Sequence, residues 1–252
     1  MRASAIEFRL RVAIIAAVIG LGFWAPWTEL FVLSRRSSLL EWGALELVRL
    51  GVCNFAAATV GMIALASLLA FKGAWLRVWG AAYLGSEVVY NAEMKADTMR
   101  TEGPYRFVRN PLYLGSWCMV AAICFLMPPT GALWTMALLT LFQLRLIAGE
   151  EAFLTRKLGA PYLSYLEAIP RLMPQLIPRR ENSLIRTGCK PRWVHALLAE
   201  TNAIGVLLIF VVLAWRYDHT LMIKAVVVNF GLSLVVRAFL TPAMESIDST
   251  PT

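Results

Sequence analysis

Charged residues are scarce in this sequence. Asp, Glu, Lys and Arg make up 16% of its 252 residues, whereas 59% of the residues are hydrophobic. A soluble globular domain carries about 25% charged and about 45–50% apolar residues. Several apolar runs approach the roughly 20 residues that a helix needs to span a membrane, and the mean hydropathy is +0.63. The composition therefore excludes an ordinary soluble domain and predicts a polytopic helical membrane protein.

The motifs of several common sites are missing too. The two histidines exclude a histidine-rich metal site, and the four cysteines show no CxxC or metal-ligand spacing, so we interpret them as small core residues. No glycine-rich dinucleotide fingerprint and no P-loop occurs, which argues against a soluble Rossmann-type domain. No basic arm accompanies the net charge of +8. We therefore expect no nucleic-acid partner, because excess Lys and Arg in a membrane protein set its orientation and contact anionic lipids.

Seven apolar runs are candidate membrane spans, and they predict an all-α bundle of about five to seven transmembrane helices. The runs lie near residues 10–33, 51–71, 73–91, 112–127, 129–148, 194–214 and 220–240. The fourth and fifth runs are joined by a turn too short for anything but a tight antiparallel hairpin. We divide the chain into N-terminal spans (1–72), a core (73–193) and a C-terminal hairpin (194–252).

The distribution of Lys and Arg predicts how the bundle is oriented. The segments 34–50, 92–111 and 149–193 together hold fifteen of these residues, whereas the segments assigned to the opposite face hold seven. By the positive-inside rule the first group faces the cytosol. This assignment places the N-terminus outside, although the N-terminus itself carries three arginines.

A short polar loop, residues 103–115, leads into the fourth apolar run. Arg106 and Arg109 lie within one turn of the membrane, where a helix N-terminus offers free N–H groups and partial positive charge. The loop therefore suits a small anion such as a carboxylate. Two other interpretations stay open. Asn110 and Pro111 are a favoured N-cap and first helical residue, and the arginines are able to anchor the interface by snorkelling.

Glu150 and Glu151 end the fifth apolar run. Acidic residues oppose the helix dipole at a C-terminus, and neither glutamate has a Lys or Arg three or four positions later. They are either solvated charges or the partners of a cationic ligand or of Arg106, Arg109 or Arg171. Because the two apolar runs form one hairpin, the loop and the carboxylates meet at one end. Together they suit a zwitterionic, amino-acid-like ligand; S-adenosylmethionine is one, although the residue types alone do not name it.

The segment 149–193 is charged and contains five prolines, so we expect it outside the membrane. Its first part continues the fifth helix to Leu158, where Gly159 stops the helix. A short helix with aromatic residues on one face follows. Pro170 and Pro174 then enforce an extended stretch, which we expect to fold back over the ends of the spans as a lid.

These elements resemble, in order and spacing, the isoprenylcysteine carboxyl methyltransferase and phospholipid methyltransferase family. The residues that carry the likeness are Gly103, Pro104, Tyr105, Arg106, Arg109, Asn110, Pro111, Tyr113, Gly115, Glu150, Glu151, Leu154, Tyr162, Tyr165, Pro170 and Arg171. The resemblance implies an integral-membrane methyltransferase that uses S-adenosylmethionine and a lipid-like acceptor that enters from the bilayer. It also implies that the cofactor is bound by the quoted residues between 103 and 115 together with Glu150 and Glu151. The family usually has His where this sequence has Asn110, which forms hydrogen bonds but does not titrate.

The resemblance leads to hypotheses about catalysis. Methyl transfer to a carboxylate needs no base, whereas an amine acceptor must first lose a proton, and Glu150 or Glu151 would assist in that step. Arg171 is the candidate that orients an anionic acceptor. An isoprenylcysteine-like carboxylate and a phospholipid-like amine both remain open as acceptors. The expected location is the membrane, the cytoplasmic membrane if the protein is bacterial, with membrane lipids as neighbours and the site facing the cytosol.

Two other functions fit parts of the sequence. A membrane reductase of the sterol-reductase type would use NADPH, and Arg179 and Arg180 are the nearby basic pair for its 2′-phosphate. A transporter or non-catalytic scaffold would place charged residues opposite each other at mid-bilayer. The candidate spans are nearly uncharged at their centres, which counts against an ion pathway.

Overall fold

The computed structural model describes residues 3–24, 37–84, 101–175 and 190–217, with isolated residues between 221 and 235. Across these residues the structure is helical and contains no strand. A 3₁₀ turn covers Gly103–Arg106. The helices are α1 (Ala5–Arg9), α2 (Arg11–Trp24), α3 (Leu39–Arg49), α4 (Phe55–Leu84), α5 (Pro111–Cys124), α6 (Pro129–Leu158), α7 (Ala160–Ala168), α8 (Trp193–Ala199) and α9 (Thr201–Arg216).

Two of these helices, α4 and α6, are long and apolar enough to cross a membrane. A third span results if α8 and α9, which meet at an angle of 70°, are taken together, and α2 and α5 are shorter apolar helices. The predicted all-α architecture is confirmed for the described residues. The count of five to seven spans stays a prediction, and the seventh run, 220–240, lies largely outside the described residues.

The helix α4 corrects the division of the first half of the chain. Separate spans at 51–71 and 73–91 were predicted, but α4 runs without interruption from Phe55 to Leu84. The stretch around residue 72 contains no proline, and its glycine, Gly73, continues the helix because it lies in a packed interface. At about 1.5 Å per residue, 30 residues give roughly 45 Å, more than the hydrocarbon core requires. The predicted boundary at residue 72 therefore falls inside one helix.

Two glycines allow α4 and α5 to lie close together. A Cβ added to Gly73 would come within 2.8 Å of the Gly115 carbonyl oxygen, and a Cβ added to Gly115 would lie 2.8 Å from the Gly73 carbonyl oxygen. Neither substitution leaves room for the facing backbone. Small residues at a helix crossing are the usual means of close packing in membranes, where dispersion contacts drive association.

The predicted hairpin is confirmed. Helix α5 ends near Cys124, the chain turns over Met127, and Pro128 precedes the first residue of α6. Apolar side chains of both helices pack around the fully buried Met127 and Leu139. Helix α6 extends past the membrane length and stops at Gly159, whose φ of +65° is accessible to glycine. The short aromatic helix expected after it is α7.

The hairpin defines two ends of the bundle, which we call the loop end (residues 101–110) and the turn end (125–128). At the loop end, the backbone N–H of Ala3 donates to the carbonyl of Arg145 (3.1 Å). At the turn end, the N–H of Leu39 donates to the carbonyl of Met127 (2.7 Å). Helix α1 therefore lies at the loop end and α3 at the turn end.

Two orientation predictions are wrong for this reason. The segment 34–50 was assigned to the same face as the loop 92–111, and the N-terminus to the opposite face. Because two predicted spans are a single helix, every element upstream of α4 changes sides. Arg9 and Arg11 therefore lie at the same end of the bundle as the loop, as the positive-inside rule favours.

An ion pair between Arg77 of α4 and the buried Glu200 joins the bent α8–α9 pair to α4, and Arg77 also bonds to α5. The Arg77 guanidinium donates to both carboxylate oxygens of Glu200, from Nε (2.6 Å) and Nη2 (2.8 Å), and to the Ser116 hydroxyl (2.5 Å). Glu200 is 2% exposed and lies at the break between the two helices. Sequence inspection identified Arg77 as a charge within a span but had no means of finding its partner 123 residues away.

Arg77→Met is expected to destabilise the protein by about 3 kcal/mol, because it leaves the Glu200 carboxylate buried without its cation. Replacing both residues by apolar ones should recover most of the loss. Lys72→Met, on the exposed side of the same helix, is the control and should change stability by less than about 0.5 kcal/mol. Thermal unfolding in detergent measures all three, and an unchanged midpoint for Arg77→Met would contradict the role of the pair.

Cysteine labelling in sealed vesicles tests the corrected topology. We expect Ile6→Cys, at an exposed position of α1, and Ser164→Cys, on α7, to react with an impermeant maleimide from one side. The native Cys53, which is a free thiol before α4, should react only from the other side. Labelling of Ile6→Cys from the side opposite to Ser164→Cys, or of Cys53 from the same side as Ser164→Cys, would restore the original orientation.

Candidate functional site

The loop between α4 and α5 is held in a fixed shape. Gly103 has a φ of +60°, and any Cβ there would lie within 2.4 Å of the Tyr83 ring. Tyr105 is buried, its hydroxyl lies 3.5 Å from the Gly80 carbonyl oxygen, and its carbonyl accepts a hydrogen bond from the Tyr165 hydroxyl (2.8 Å). Burial raises the pKa of Tyr165, with the neighbouring Tyr162 as the second cause, so its hydroxyl remains a donor at neutral pH. The loop is therefore anchored to α4 on one side and to α7 on the other.

Asn110 does not act as a helix cap. Pro111 is the first residue of α5, as predicted, but the Asn110 side chain makes no capping hydrogen bond. Its amide donates instead to Oε1 of Glu151 (3.4 Å) and to the carbonyl of Arg171 (3.2 Å). Asn110 thus connects the loop to the end of α6 and to the segment that follows α7.

Glu151 is the centre of this arrangement. It is 6% exposed, and its carboxylate accepts hydrogen bonds from Arg171 Nη2 (2.6 Å) and Nε (3.3 Å). Arg109 Nη1 lies 3.4 Å from Oε1 of the same carboxylate. Two guanidinium groups thus compensate one buried charge, as such a charge requires. The Nε of Arg109 is also buried and has no hydrogen-bond partner among the described residues.

The segment 169–175, which we call the lid segment, follows α7 and lies beside the loop. The N–H of Arg109 donates to the carbonyl of Pro170 (2.9 Å), and the N–H of Gln175 donates to the carbonyl of Phe107 (3.1 Å). The Gln175 side chain adds a hydrogen bond to the carbonyl of Arg106 (3.0 Å). The lid segment therefore runs beside the loop and is bonded to it at both ends.

Glu150 faces a different direction from Glu151. Successive residues of an α-helix are rotated by about 100°, and Glu150 makes its hydrogen bond with the hydroxyl of Tyr113 on α5. The positive charge of Arg11, at the start of α2, lies close enough to act on both of these groups. Glu150 is half-buried. The two neighbouring glutamates thus belong to two different polar clusters.

Helix α7 forms an aromatic platform beside the charged groups. Tyr162, Tyr165 and Ile169 are buried together and pack against Leu154 and Leu158 of α6. Burial raises the pKa of Tyr162, and the negative charges of Glu151 and Glu150 raise it further. This phenol therefore stays neutral over the physiological pH range and lies within electrostatic reach of both glutamates.

The structure brings most of the predicted site residues together. Arg109, Asn110, Glu151 and Arg171 are in direct contact, and Tyr113 and Glu150 are hydrogen-bonded beside them. Pro104, Tyr105 and Arg106 form the turn that presents Arg109. The position of Gly115 is explained by packing against α4, and that of Gly103 by its positive φ.

Sequence reasoning missed the N-terminal side of this end of the bundle. Residues 3–11 lie against α6 at Arg145 and Gly149. The sequence offers little signal for this contact, since arginines before an apolar run are as readily explained by membrane orientation.

The comparison with known families matches the centre of the chain. Residues 62–160 match the family model described as Phospholipid methyltransferase. The matched segment includes most of α4, the loop, the hairpin and both glutamates, and it ends before the lid segment. No curated protein and no solved structure matches the chain. The predicted resemblance to the phospholipid methyltransferase family is therefore confirmed over residues 62–160.

Proposed function

We propose that the protein is an integral-membrane methyltransferase that uses S-adenosylmethionine to methylate a lipophilic acceptor. The observation that supports this proposal best is the convergence of the loop, the hairpin end and the lid segment on Glu151. The family match includes the loop and both glutamates. A membrane protein with this cluster at one end of a helical hairpin has a polar site beside the bilayer, where a lipid acceptor is available.

The residues at this end fit the cofactor. S-adenosylmethionine has an amino-acid end with an ammonium and a carboxylate, and both signs of charge are present here in Glu150 and the nearby arginines. The buried Nε of Arg109 lacks a hydrogen-bond partner among the described residues, which is costly unless an acceptor completes it. When bound, the cofactor supplies an electrophilic methyl group. The chain's own residues have to orient it and to exclude water.

We assign different roles to the two glutamates. Glu151 holds Arg109 and Arg171 and thereby fixes the loop against the lid segment. The hydrogen bonds and ion pairs to Arg109, Asn110 and Arg171 occupy this carboxylate, so Glu151 is less available to a ligand or acceptor than was expected from the sequence. Glu150, with one neutral hydrogen-bond partner in Tyr113, is better placed to receive the ammonium of the cofactor.

Arg171 and Asn110 receive positioning roles on the same grounds. The guanidinium of Arg171 is bonded to Glu151, so we assign it to closing the lid segment; orientation of an anionic acceptor, the role expected from the sequence, would require this bond to open. Asn110 donates two hydrogen bonds and moves no proton. The family usually has His at this position. If that His only forms hydrogen bonds to neighbouring groups and transfers no proton, the Asn110 amide is able to take its place.

The site end is proposed to face the cytosol. Basic residues of the described chain are concentrated there, on α1, the loop, the end of α6 and the segment before α8, whereas Arg49 and Arg216 end helices at the turn end. This asymmetry follows the positive-inside rule. It agrees with a cofactor that is supplied from the cytosol.

Methyl transfer tests the proposal directly. Purified protein in lipid vesicles is given S-adenosylmethionine labelled in its methyl group, with either phosphatidylethanolamine or a prenylcysteine acid in the vesicles. We expect label in one of the two lipid classes. Binding of NADPH without binding of S-adenosylhomocysteine would favour the reductase instead.

Glu150→Gln is expected to weaken the binding of S-adenosylhomocysteine by about 10- to 100-fold, since a hydrogen bond to a charged group contributes about 1.5–3 kcal/mol. Titration calorimetry on the purified protein measures the change. Glu167→Gln, an exposed glutamate on α7, is the matched control and should bind like the wild type. Equal affinity of the two variants would remove Glu150 from the site.

Arg171→Gln is expected to loosen the lid segment. The Arg171 side chain is 46% exposed, so its ion pair with Glu151 is partly screened, and its loss should cost about 1 kcal/mol. The backbone amides of Arg109 and Gln175, which bond the loop to the lid segment, should then exchange hydrogen roughly fivefold faster. Arg156→Gln, exposed at the end of α6, serves as the control. Unchanged exchange in Arg171→Gln would show that the ion pair does not hold the lid segment.

A further inference from the structure

The N-terminal helix is attached to the end of α6 by several specific contacts. Glu7 accepts two hydrogen bonds from Arg145 Nη2, at 2.9 and 3.0 Å. The Ser4 and Glu7 side chains cap α1 reciprocally, which presents Glu7 in a fixed position. The N–H of Ala3 donates to the Arg145 carbonyl, and Gly149 leaves room for the Ala3 backbone beside it. Helix α1 thus lies against the turn of α6 that immediately precedes Glu150.

Arg11 is oriented by this docking. Its guanidinium carbon lies 4.4 Å from the centre of the Phe8 ring, and its Nη1 donates to the Phe8 carbonyl (3.3 Å). Phe8 is itself buried, at 8% exposure. The side chain is therefore held over a fixed aromatic face, and its charge acts on Glu150 and Tyr113.

The distribution of charge at the site distinguishes Arg11 from the other arginines. Arg109 and Arg171 share the buried carboxylate of Glu151 and fix the loop and the lid segment. Removing both from Glu151 would leave a buried charge uncompensated, which is strongly unfavourable. The charge of Arg11 acts on the half-buried Glu150, and the docking of α1 holds Arg11 beside the turn of α6 that precedes this glutamate. A neighbouring anion and cation match the amino-acid end of S-adenosylmethionine, whose ammonium and carboxylate are attached to one carbon.

We propose that Arg11 is a cofactor-binding residue: it receives the α-carboxylate of S-adenosylmethionine while Glu150 receives the α-ammonium. This inference rests on the proposed function and extends the site to the first helices of the chain. These helices lie outside the segment that matches the family model. Helix α1, fastened by the Glu7–Arg145 pair, acts as the support that positions Arg11.

The experiment compares two ligands on full-length protein in detergent. S-adenosylhomocysteine carries the α-carboxylate, and its decarboxylated analogue lacks only that group. Arg11→Gln should weaken binding of S-adenosylhomocysteine at least tenfold and leave binding of the decarboxylated analogue unchanged, because that analogue makes no contact with the guanidinium. Arg11→Lys should recover part of the loss. Arg9→Gln, two positions away and exposed, is the matched control and should bind both ligands like the wild type.

The outcomes separate the inference from the function on which it rests. Equal weakening of both ligands by Arg11→Gln would show a structural effect and overturn the assignment. Wild-type affinity of Arg11→Gln for S-adenosylhomocysteine would overturn it as well, while the proposed function would stand. If the wild-type protein bound neither ligand, the proposed function itself would fail, and Arg11 would lose its assigned ligand with it.

Discussion

The arrangement of the loop end depends on the compensation of one buried carboxylate. Glu151 is almost inaccessible to solvent, and an uncompensated charge there would cost several kcal/mol. Its partners are distant in the sequence. Asn110 in the loop lies 41 residues before Glu151, and Arg171 in the lid segment lies 20 residues after it. The same electrostatic requirement therefore fixes the loop on α5, the end of α6 and the lid segment relative to one another.

The geometry of the α-helix directs the side chains of Glu150 and Glu151 to different neighbours. Adjacent residues of a helix face directions about 100° apart, so Glu151 turns toward Arg109 and Arg171 while Glu150 turns toward Tyr113 and the N-terminal helix. One carboxylate is fully used in holding the protein together. The other keeps a single neutral hydrogen-bond partner and a nearby cation, which is the environment that a zwitterionic ligand requires.

Local sequence signals predicted the part of the fold that local chemistry determines. The proline turn, the stop at Gly159 and the unpaired glutamates at a helix end predicted the hairpin, its extension and the meeting of loop and carboxylates. The first half of the chain was harder, because an apolar helix in lipid has no informative periodicity and a glycine such as Gly73 looks the same in a turn and in a helix crossing. The error in α4 then reversed every element before it. The ion pair Arg77–Glu200 could not be predicted from the sequence, because nothing near either residue indicates a partner 123 residues away.

The polar groups of this protein lie where a membrane tolerates them. Within the described residues, the charges that lie between the two ends of the bundle are few, and the buried one at Glu200 has a bidentate partner. The larger cluster is at the loop end, where helices leave the hydrocarbon and charges are less costly. The proposed reaction between a water-soluble cofactor and a lipid requires both to meet where the helices leave the hydrocarbon. A charged site at the end of an apolar hairpin, closed on one side by the lid segment and on the other by the N-terminal helix, meets that requirement with elements from three separate parts of the chain.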